Sequence, residues 1–454
     1  MTISVTVTDV DCKLPGKFEI DAKTPAKPAK TKKISTTFAL INLIKGMVGP
    51  GCFNLPMAFK QAGLWTAFGI DFLFGIVSII CMVKLVVSAQ YLCKRNGCGT
   101  LDYGQLAQEA FATSWKPLAR FKYAARWFVN CCLIFLQLGI CSVFYIFVVE
   151  HAKEIVDLIW PENDLTCDNY FLFALPAFLL ISLVRSIHIL SYIALLGNIL
   201  MTACLSIILY ELVSAHHIPT KNLPAITTFD GVVVSAGSIL YALEGQAMVL
   251  PLENKMKHPG DMKGFNGVLS TGVALVTLMY AGCGFFGYIT YGDAVKGSIT
   301  LNLSDSPINI SVKAMLLSVV YSGFLIQQYP LVQMLWPLAK QPLRRNEVKR
   351  SYIIGLECLF RSSIVFIALG LSWLVPNLEQ IMSLVGVTSG MMLALVLPSL
   401  IETVVFFSEC RKNHPNWKFC ILIGLNFFYI TLGLFFVVTG LQANILDLMH
   451  GDSS

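Results

Sequence analysis

The sequence predicts an all-α, polytopic membrane protein with eleven transmembrane helices. Of its 454 residues, 56% are hydrophobic and only 13% are charged, and the mean hydropathy is +0.68. About a quarter of the residues in a soluble domain are charged, so a soluble fold is excluded. Eleven apolar runs are long enough to cross a bilayer. These predicted spans, numbered 1 to 11, are residues 36–60, 63–93, 123–149, 169–187, 189–213, 229–252, 265–291, 310–337, 352–375, 378–407 and 418–442.

Three segments follow from this pattern. Residues 1–35 are polar and lack the apolar run of a signal peptide, which predicts a flexible cytosolic tail. Residues 36–442 form the transmembrane domain, and residues 443–454 a short tail at the other end.

The fourteen cysteines include no C-x-x-C pair with metal-site spacing, so neither a metal nor a cofactor is predicted. The net charge of +6 indicates no nucleic-acid partner, because the placement of the charges explains it.

The distribution of Lys and Arg predicts the orientation in the lipid bilayer. With the N-terminus in the cytosol, the inner segments hold 24 basic residues and the outer loops hold four. Positive charge is concentrated on the cytosolic side of membrane proteins, and an odd number of spans then places the C-terminus outside or in a lumen. Two Asn-x-Ser sequons, at Asn302 and Asn309, fall in the outer loop between spans 7 and 8 and are predicted glycosylation sites.

Span 1 contains the first predicted break. Its residues Gly46, Gly49, Pro50 and Gly51 fall within a stretch of six, which predicts an unwound segment rather than a kink. Unwound backbone at bilayer depth is tolerated where it lines a cavity or contacts protein. The two half-helix ends offer free N–H groups to a carboxylate and free carbonyls to an ammonium group, as a zwitterionic amino acid requires. The predicted binding backbone is Gly46, Met47, Val48, Gly49, Pro50 and Gly51.

Span 6 contains the second break, at a carboxylate. Glu244 lies in the middle of an apolar span, where an acid is costly and faces a cavity or a partner. Two interrupted helices at matching places in two halves of a chain indicate a transporter binding site. The predicted binding residues here are Tyr241, Ala242, Leu243, Glu244 and Gly245. Glu244 could pair with the substrate amine, bind a coupling proton or hold a structural partner.

Other titratable residues give weaker predictions. Lys45 is either the counter-charge of an acid such as Asp71 or Glu402, or it extends its ammonium group toward the membrane surface. The chain has seven histidines, and none lies in the core of a predicted span. A histidine proton relay is therefore not supported. No catalytic motif is visible, so an enzyme is not predicted.

Four stretches resemble the proton-coupled amino acid transporters, solute carrier family 36, within the amino acid/auxin permease group. They are residues 43–63 (LIKGMVGPGCFNLPMAFKQAG), 137–145 (QLGICSVFY), 244–254 (EGQAMVLPLEN) and 297–303 (GSITLNL). The resemblance covers roughly residues 36–442. It implies a LeuT-type arrangement, with spans 1–5 and 6–10 as inverted repeats plus one helix. It also implies secondary transport of small neutral amino acids by alternating access, often coupled to protons, at the plasma membrane or a lysosomal or endosomal membrane.

Two departures from the family pattern affect these expectations. Members usually carry a histidine implicated in proton coupling where this chain has Asn42, which cannot titrate. Coupling then falls to Glu244, or the protein is an uncoupled facilitator. Members can also join two outer loops by a disulfide, but residues 292–308 contain no partner for Cys167. A different class remains open, in which the chain is an amino acid sensor with little flux and the basic tail contacts a cytosolic partner.

Overall fold

The computed structural model describes residues 33–97, 99–161, 165–345, 349–375, 377–413 and 416–451, which form a helical bundle. Most of the predicted tail 1–35 therefore lies outside the described residues. The α-helices, in chain order, are α1 (Thr36–Met47), α2 (Leu55–Ala62), α3 (Leu64–Asn96), α4 (Tyr103–Ala112), α5 (Lys116–Ala119), α6 (Lys122–Ile159), α7 (Cys167–Ser182), α8 (Ile187–Ser214), α9 (Phe229–Ala242), α10 (Gln246–Glu253), α11 (Val268–Tyr291), α12 (Pro307–Arg345), α13 (Arg350–Leu374), α14 (Leu378–Val385), α15 (Leu397–Asn413) and α16 (Asn416–Gly451).

These helices account for the eleven predicted spans. Within the described residues, nine helical segments are long and apolar enough to cross a membrane alone. A tenth span is a pair of helices, Thr36–Met47 and Pro50–Ala62, bent by 50° at a short break. The remaining predicted span corresponds to α7, an apolar helix of 16 residues that is shorter than the other ten. The predicted all-α membrane fold is therefore confirmed.

Helix packing pairs the two halves of the bundle. The segments of span 1 pack against those of span 6, and α3 of span 2 packs against α11 of span 7. In the same way α6 contacts α12, which pairs spans 3 and 8, and α7 contacts α13, which pairs spans 4 and 9. Each of these pairs joins equivalent members of two five-span halves, as the predicted repeat requires.

Several helices differ in length or regularity from the predicted spans. α6 continues to Ile159, ten residues beyond predicted span 3, and α16 continues through the first part of the predicted tail at 443–454. Span 10 is not a uniform α-helix, because Gly386–Gly390 and Met392–Val396 between α14 and α15 are π-helical. π-helical turns widen a helix locally and often lie near functional sites. The hydropathy of span 10 predicts a continuous helix and does not predict these π-helical turns.

The short helix α4, between spans 2 and 3, packs on the bundle. Its N-terminus is closed by a capping box in which Asp102 accepts from the Gln105 amide and Gln105 accepts from the Asp102 amide. Tyr103 is buried, and its hydroxyl donates to the Leu393 carbonyl at 2.9 Å, in the second π-helical segment. Burial, followed by the charge of Glu244, raises the pKa of Tyr103 well above its usual value, so this donor stays protonated.

A buried ion pair joins α3 to the last two spans. Lys84 is 8% exposed, and its Nζ lies 3.2 Å from Glu402 Oε2 of α15. The same ammonium donates to Asn426 of α16 and lies 4.6 Å from the centre of the Tyr429 ring. Glu402 therefore has Lys84 as its counter-charge, and the interpretation of Lys45 as the partner of Glu402 is wrong.

Removing one member of this pair should destabilise the fold strongly. We expect Lys84→Met to lower the free energy of unfolding by about 3–5 kcal/mol, because Glu402 would remain as an uncompensated buried charge. The double variant Lys84→Met, Glu402→Leu should recover most of this loss. Thermal unfolding of the purified proteins measures both effects. A single variant as stable as the wild type would show that the pair contributes nothing.

Candidate functional site

The backbone of span 1 unwinds where its glycines and proline are concentrated. α1 ends at Met47, and Val48 and Gly49 are extended, with φ −71° and −145°. The chain then forms a 3₁₀ turn, Pro50–Asn54, before α2 begins. Pro50 starts this turn, where its missing N–H costs nothing. The break therefore interrupts the regular helical hydrogen bonding between the end of α1 and the turn, where the Met47 carbonyl accepts from Tyr280 and the Cys52 amide donates to the Gly49 carbonyl.

The backbone of span 6 breaks at Glu244. α9 ends at Ala242 and α10 begins at Gln246, so Leu243, Glu244 and Gly245 lie between two half-helices. Glu244 Oε1 accepts from the Gln246 amide at 2.9 Å, which places the carboxylate at the positive end of α10. Its other oxygen, Oε2, has no hydrogen-bond partner in the described part of the chain.

The two breaks pack against each other. An added Cβ at Gly51 would lie 3.1 Å from Ala242 Cα and 3.3 Å from Tyr241 Cδ1, so the backbones of the two spans nearly touch there. At Gly245 an added Cβ would lie 3.0 Å from Met47 Cγ, which closes the other side of the contact. At Gly49, by contrast, an added Cβ would meet nothing within 4 Å.

The open space beside Gly49 is a cavity of about 290 Å³. Gly46 is exposed and Asn42 half-buried, whereas the residues from Pro50 to Asn54 are buried, so the cavity opens toward the end of the bundle where α1 begins. Its lining comes from spans 1, 3, 5, 6 and 8 and consists of Asn42, Lys45, Gly46, Met47, Val48, Gly49, Pro50, Gly51, Ile140, Phe144, Ile193, Ala194, Gly197, Asn198, Met201, Tyr241, Ala242, Glu244, Val319, Val320, Ser322, Gly323, Ile326 and Gln327.

Most of the predicted binding residues reach this cavity. All six from Gly46 to Gly51 line it, as do Tyr241, Ala242 and Glu244. The other two predicted residues do not: Leu243 is 1% exposed, and Gly245 is buried against Met47 and Met82. Adjacent side chains at the end of a helix point in different directions. Leu243 therefore points away from the cavity that its neighbours Ala242 and Glu244 line.

The sequence interpretation missed the lining that comes from spans 3, 5 and 8. Phe144 of α6 forms an apolar wall and packs against Gly323 of α12, where an added Cβ would lie 2.8 Å from the ring. Asn198 of α8 and Gln327 of α12 add polar groups, and Gln137 donates to Gln327 at 2.7 Å. Isolated amides within otherwise apolar spans are the signal that could have identified this wall.

Beyond Phe144, α6 carries a buried column of stacked side chains. Phe147 lies one turn beyond Phe144, and its ring stacks on His151 with centroids 3.9 Å apart. His151 is 0% exposed, bonds the Phe147 carbonyl through Nδ1 and contacts the Thr300 hydroxyl through Nε2. His151 lies beyond the predicted end of span 3, but α6 extends past that end and carries His151 within a helix long enough to cross the membrane.

Lys45 lines the cavity rather than pairing with a buried acid. No described ion pair includes Lys45, and Asp71 and Glu402 do not contact it in any described bond. The counter-charge interpretation of Lys45 is therefore wrong for Asp71 as well as for Glu402. Its half-buried side chain leaves a cation in the cavity wall, in the last turn of α1 before the break.

The two sequon asparagines differ in how their side chains are used. Asn302 is half-buried, and its Nδ2 donates to the Ala294 carbonyl at 2.8 Å. Asn309 is 3% exposed, and its Nδ2 donates to Glu211 at 2.9 Å and to Ser304 at 3.0 Å. A glycan on Asn309 is incompatible with this packing, whereas glycosylation of Asn302 stays a prediction. Cys167 is a free thiol.

Two broken helices around a central cavity, in a bundle whose halves pair span by span, define the LeuT-type transporter fold. A solved structure titled "Inward facing conformation of Mhp1" shares this fold, with a TM-score of 0.52 at 8% identity over 95% of both chains.

Residues 32–446 match the family described as "Transmembrane amino acid transporter protein", and the chain belongs to this family. It is similar to "Probable amino acid transporter skat-1" of Caenorhabditis elegans, with 29% identity over 94% of this chain and 93% of that protein. It is also similar to "Proton-coupled amino acid transporter-like protein pathetic" of Drosophila melanogaster, with 27% identity over 91% and 85% of the two chains. The chain is thus a multi-pass membrane transporter and not an enzyme.

Proposed function

We propose that this protein carries small neutral amino acids across a membrane by alternating access, with the cavity between spans 1 and 6 as its substrate site. The observation that supports this most directly is that two independent helix breaks pack together and line one cavity. The family assignment supports an amino acid as the substrate.

The zwitterion has a defined place at the breaks. Its carboxylate would accept from the Gly51 amide at the start of the turn Pro50–Asn54, because Pro50 has no N–H and the Cys52 amide donates to the Gly49 carbonyl. Its ammonium group would donate to the unpartnered Glu244 Oε2 and to carbonyls at the end of α1. Phe144, Tyr241 and Val48 form an apolar wall for the substrate side chain. A charged side chain against these three apolar residues would lose its hydration there, which opposes its binding.

The orientation predicted from basic residues supports a cavity that faces the cytosol. The N-terminus would be cytosolic and the C-terminus external or lumenal. Because the cavity opens at the end of the bundle where α1 begins, this arrangement would be the inward-open member of the transport cycle. The membrane would be the plasma membrane or a lysosomal or endosomal membrane, as the resemblance to solute carrier family 36 implies.

Coupling to protons is part of the proposal. A relative is named as proton-coupled, and Glu244 is the carboxylate that lines the cavity beside the expected ammonium group. Asn42 also lines the cavity but cannot take a proton. Glu244 Oε1 accepts from the Gln246 amide, and Oε2 lacks a partner within the described residues, so one carboxylate oxygen is available to a substrate ammonium group or to a proton.

Uptake into liposomes tests the proposed function. Purified protein would be reconstituted with labelled glycine, alanine, proline, leucine, lysine and glutamate, with and without a pH gradient. We expect uptake of the small neutral amino acids and exclusion of lysine and glutamate. Binding without flux would support the sensor instead, and preferred uptake of lysine or glutamate would contradict the proposed pocket.

Tyr241 should limit the size of the substrate side chain. It is 7% exposed and lines the cavity one turn before Glu244. We expect Tyr241→Ala to widen acceptance toward leucine, whose competition against labelled glycine should become at least about tenfold stronger. Tyr145→Ala is the matched control, because this buried tyrosine of α6 does not line the cavity. An unchanged substrate profile for Tyr241→Ala would remove this ring from the pocket.

A further inference from the structure

Asp71 of α3 is a buried carboxylate without a partner. Its side chain is 0% exposed, and both carboxylate oxygens lack a hydrogen bond within the described residues. The other buried Asp, Glu, Lys and Arg side chains of the described chain are all bonded. Lys84 pairs with Glu402, Glu253 accepts from Gln90, Lys313 contacts Glu154, and Glu357 contacts Arg361. Asp71 is therefore the exception that needs an explanation.

An ionised carboxylate is not stable in this environment. Moving an isolated charge from water into a protein interior costs far more than a fold can supply, so the group takes up a proton instead. Tyr280 of α11 is the titratable side chain within electrostatic range of Asp71, and Cys283 of α11 and Cys52 of the turn in span 1 lie near Tyr280. The pair of Lys84 and Glu402 is thirteen residues further along α3, about 20 Å away, and supplies no local counter-charge.

The surface of α11 that faces Asp71 carries two hydroxyl groups. Gly75, one turn beyond Asp71, packs so closely on α11 that an added Cβ would lie 2.4 Å from Thr277 Oγ1. The Thr277 hydroxyl is buried and has no partner within the described chain. Tyr280 follows one turn later on the same face of α11.

Tyr280 links this region to the break in span 1. Its side chain is 0% exposed, and its hydroxyl donates to the Met47 carbonyl at 2.8 Å. Met47 is the last residue of α1, directly before the unwound segment that lines the cavity. A change at Asp71 therefore reaches the substrate site through one aromatic side chain.

We propose that Asp71 is the proton-binding site of this transporter and that Tyr280 transmits its protonation state to the break in span 1. With Asp71 protonated, the Tyr280 hydroxyl is free to donate to the Met47 carbonyl, as observed. When a rearrangement admits water, Asp71 releases its proton to that water. The carboxylate then accepts the Tyr280 O–H, and the Met47 carbonyl loses its donor. Tyr280 is a positioning residue, since it neither binds substrate nor takes the transported proton.

The proposal rests on the proposed transport function and supplies the titratable group that Asn42 cannot provide. It assigns the proton to a carboxylate behind the broken helix and leaves Glu244 for the substrate. The binding site for the proton and that for the amino acid are then separate, and α1 with its break lies between them.

Asp71→Asn tests the proposal, because the amide has the shape of the neutral carboxyl group that the structure holds. In proteoliposomes, one pH unit across the membrane should drive about tenfold accumulation by the wild type if one proton accompanies each substrate. We expect Asp71→Asn to lose this accumulation and the accompanying proton flux, while exchange of labelled for unlabelled substrate at equal pH continues. Tyr280→Phe should weaken gradient dependence more than exchange. Asp230→Asn, at an exposed acid of α9, is the control and should behave as the wild type.

The outcomes separate the two proposals. Absence of exchange in the wild type with every amino acid tested would contradict the transport function itself. Exchange without a pH effect, accumulation driven by a sodium gradient instead, or full gradient-driven accumulation by Asp71→Asn would each overturn the proton site. An independent readout needs no transport: the infrared carbonyl band of a protonated carboxylic acid should be present in the wild type at neutral pH and weaker in Asp71→Asn. An identical band in both proteins would also overturn the assignment.

Discussion

Gly49→Val should abolish amino acid uptake while leaving the protein folded and in the membrane. The extended backbone at Gly49, with φ −145° and ψ −170°, suits a β-branched residue, and extended geometry is also preferred before a proline. An added Cβ there meets nothing within 4 Å, so the valine side chain would project into the cavity without a clash. It would occupy the space beside the Gly51 amide proposed to hold the substrate carboxylate. Uptake of labelled glycine or proline should fall to background, and the thermal unfolding midpoint should stay close to that of the wild type.

Substitutions at two other glycines provide a comparison and a control for this experiment. Gly51→Val would place its Cβ 3.1 Å from Ala242 Cα, so it should lower stability as well as uptake. Gly69→Val lies on an exposed position of α3 where an added Cβ meets nothing, and it should change neither property. Normal uptake by Gly49→Val would remove this stretch of span 1 from the substrate site.

Glu244→Gln should weaken substrate binding without breaking the span 6 backbone. The glutamine oxygen can still accept from the Gln246 amide, but the negative charge beside the proposed ammonium site is gone. Hydrogen bonds to charged groups contribute about 1.5–3 kcal/mol, so the apparent KM for glycine should rise about 10- to 100-fold. Concentration-dependent uptake in liposomes measures it. Glu253→Gln, a carboxylate of α10 that accepts from Gln90 and does not line the cavity, is the control.

The pH dependence of the same variant decides between the two carboxylates. If Glu244→Gln keeps gradient-driven accumulation at raised substrate concentration, the proton is carried elsewhere, in agreement with the proposal for Asp71. If instead it exchanges substrate with unchanged KM and ignores a pH gradient, Glu244 carries the proton and the assignment to Asp71 fails.

Local composition was enough to predict the two breaks. The helix of span 1 is costly to continue through Gly46, Gly49, Pro50 and Gly51. The helix of span 6 is costly to continue through Glu244 and Gly245. The span count also follows from local hydropathy, because each segment must satisfy its own backbone in a bilayer. These features depend on residues close together in the chain.

Features that depend on distant residues were not predicted. The cavity wall of α8 and α12 consists of ordinary apolar spans with single amides, and hydropathy does not identify which faces turn inward. Lys45 and Lys84 lie in similar apolar surroundings in the sequence, yet only the three-dimensional packing pairs Lys84 with Glu402 and leaves Lys45 at the cavity. His151 was placed outside a span because hydropathy falls at the end of span 3, although α6 continues. Whether Asp71 has a hydrogen-bond partner likewise depends on which residues of other helices pack around it.

The ion pair between Lys84 and Glu402 also constrains how the chain is made. Asn426, which shares the Lys84 ammonium, follows it by 342 residues, and Glu402 is synthesised only shortly before Asn426. At 5–20 residues per second, ribosomes need roughly 20–70 s to synthesise this interval. During that time span 2 carries a lysine whose partners do not yet exist. The charge of Lys84 is therefore compensated by these partners only after spans 10 and 11 have been synthesised, so this contact forms late in assembly.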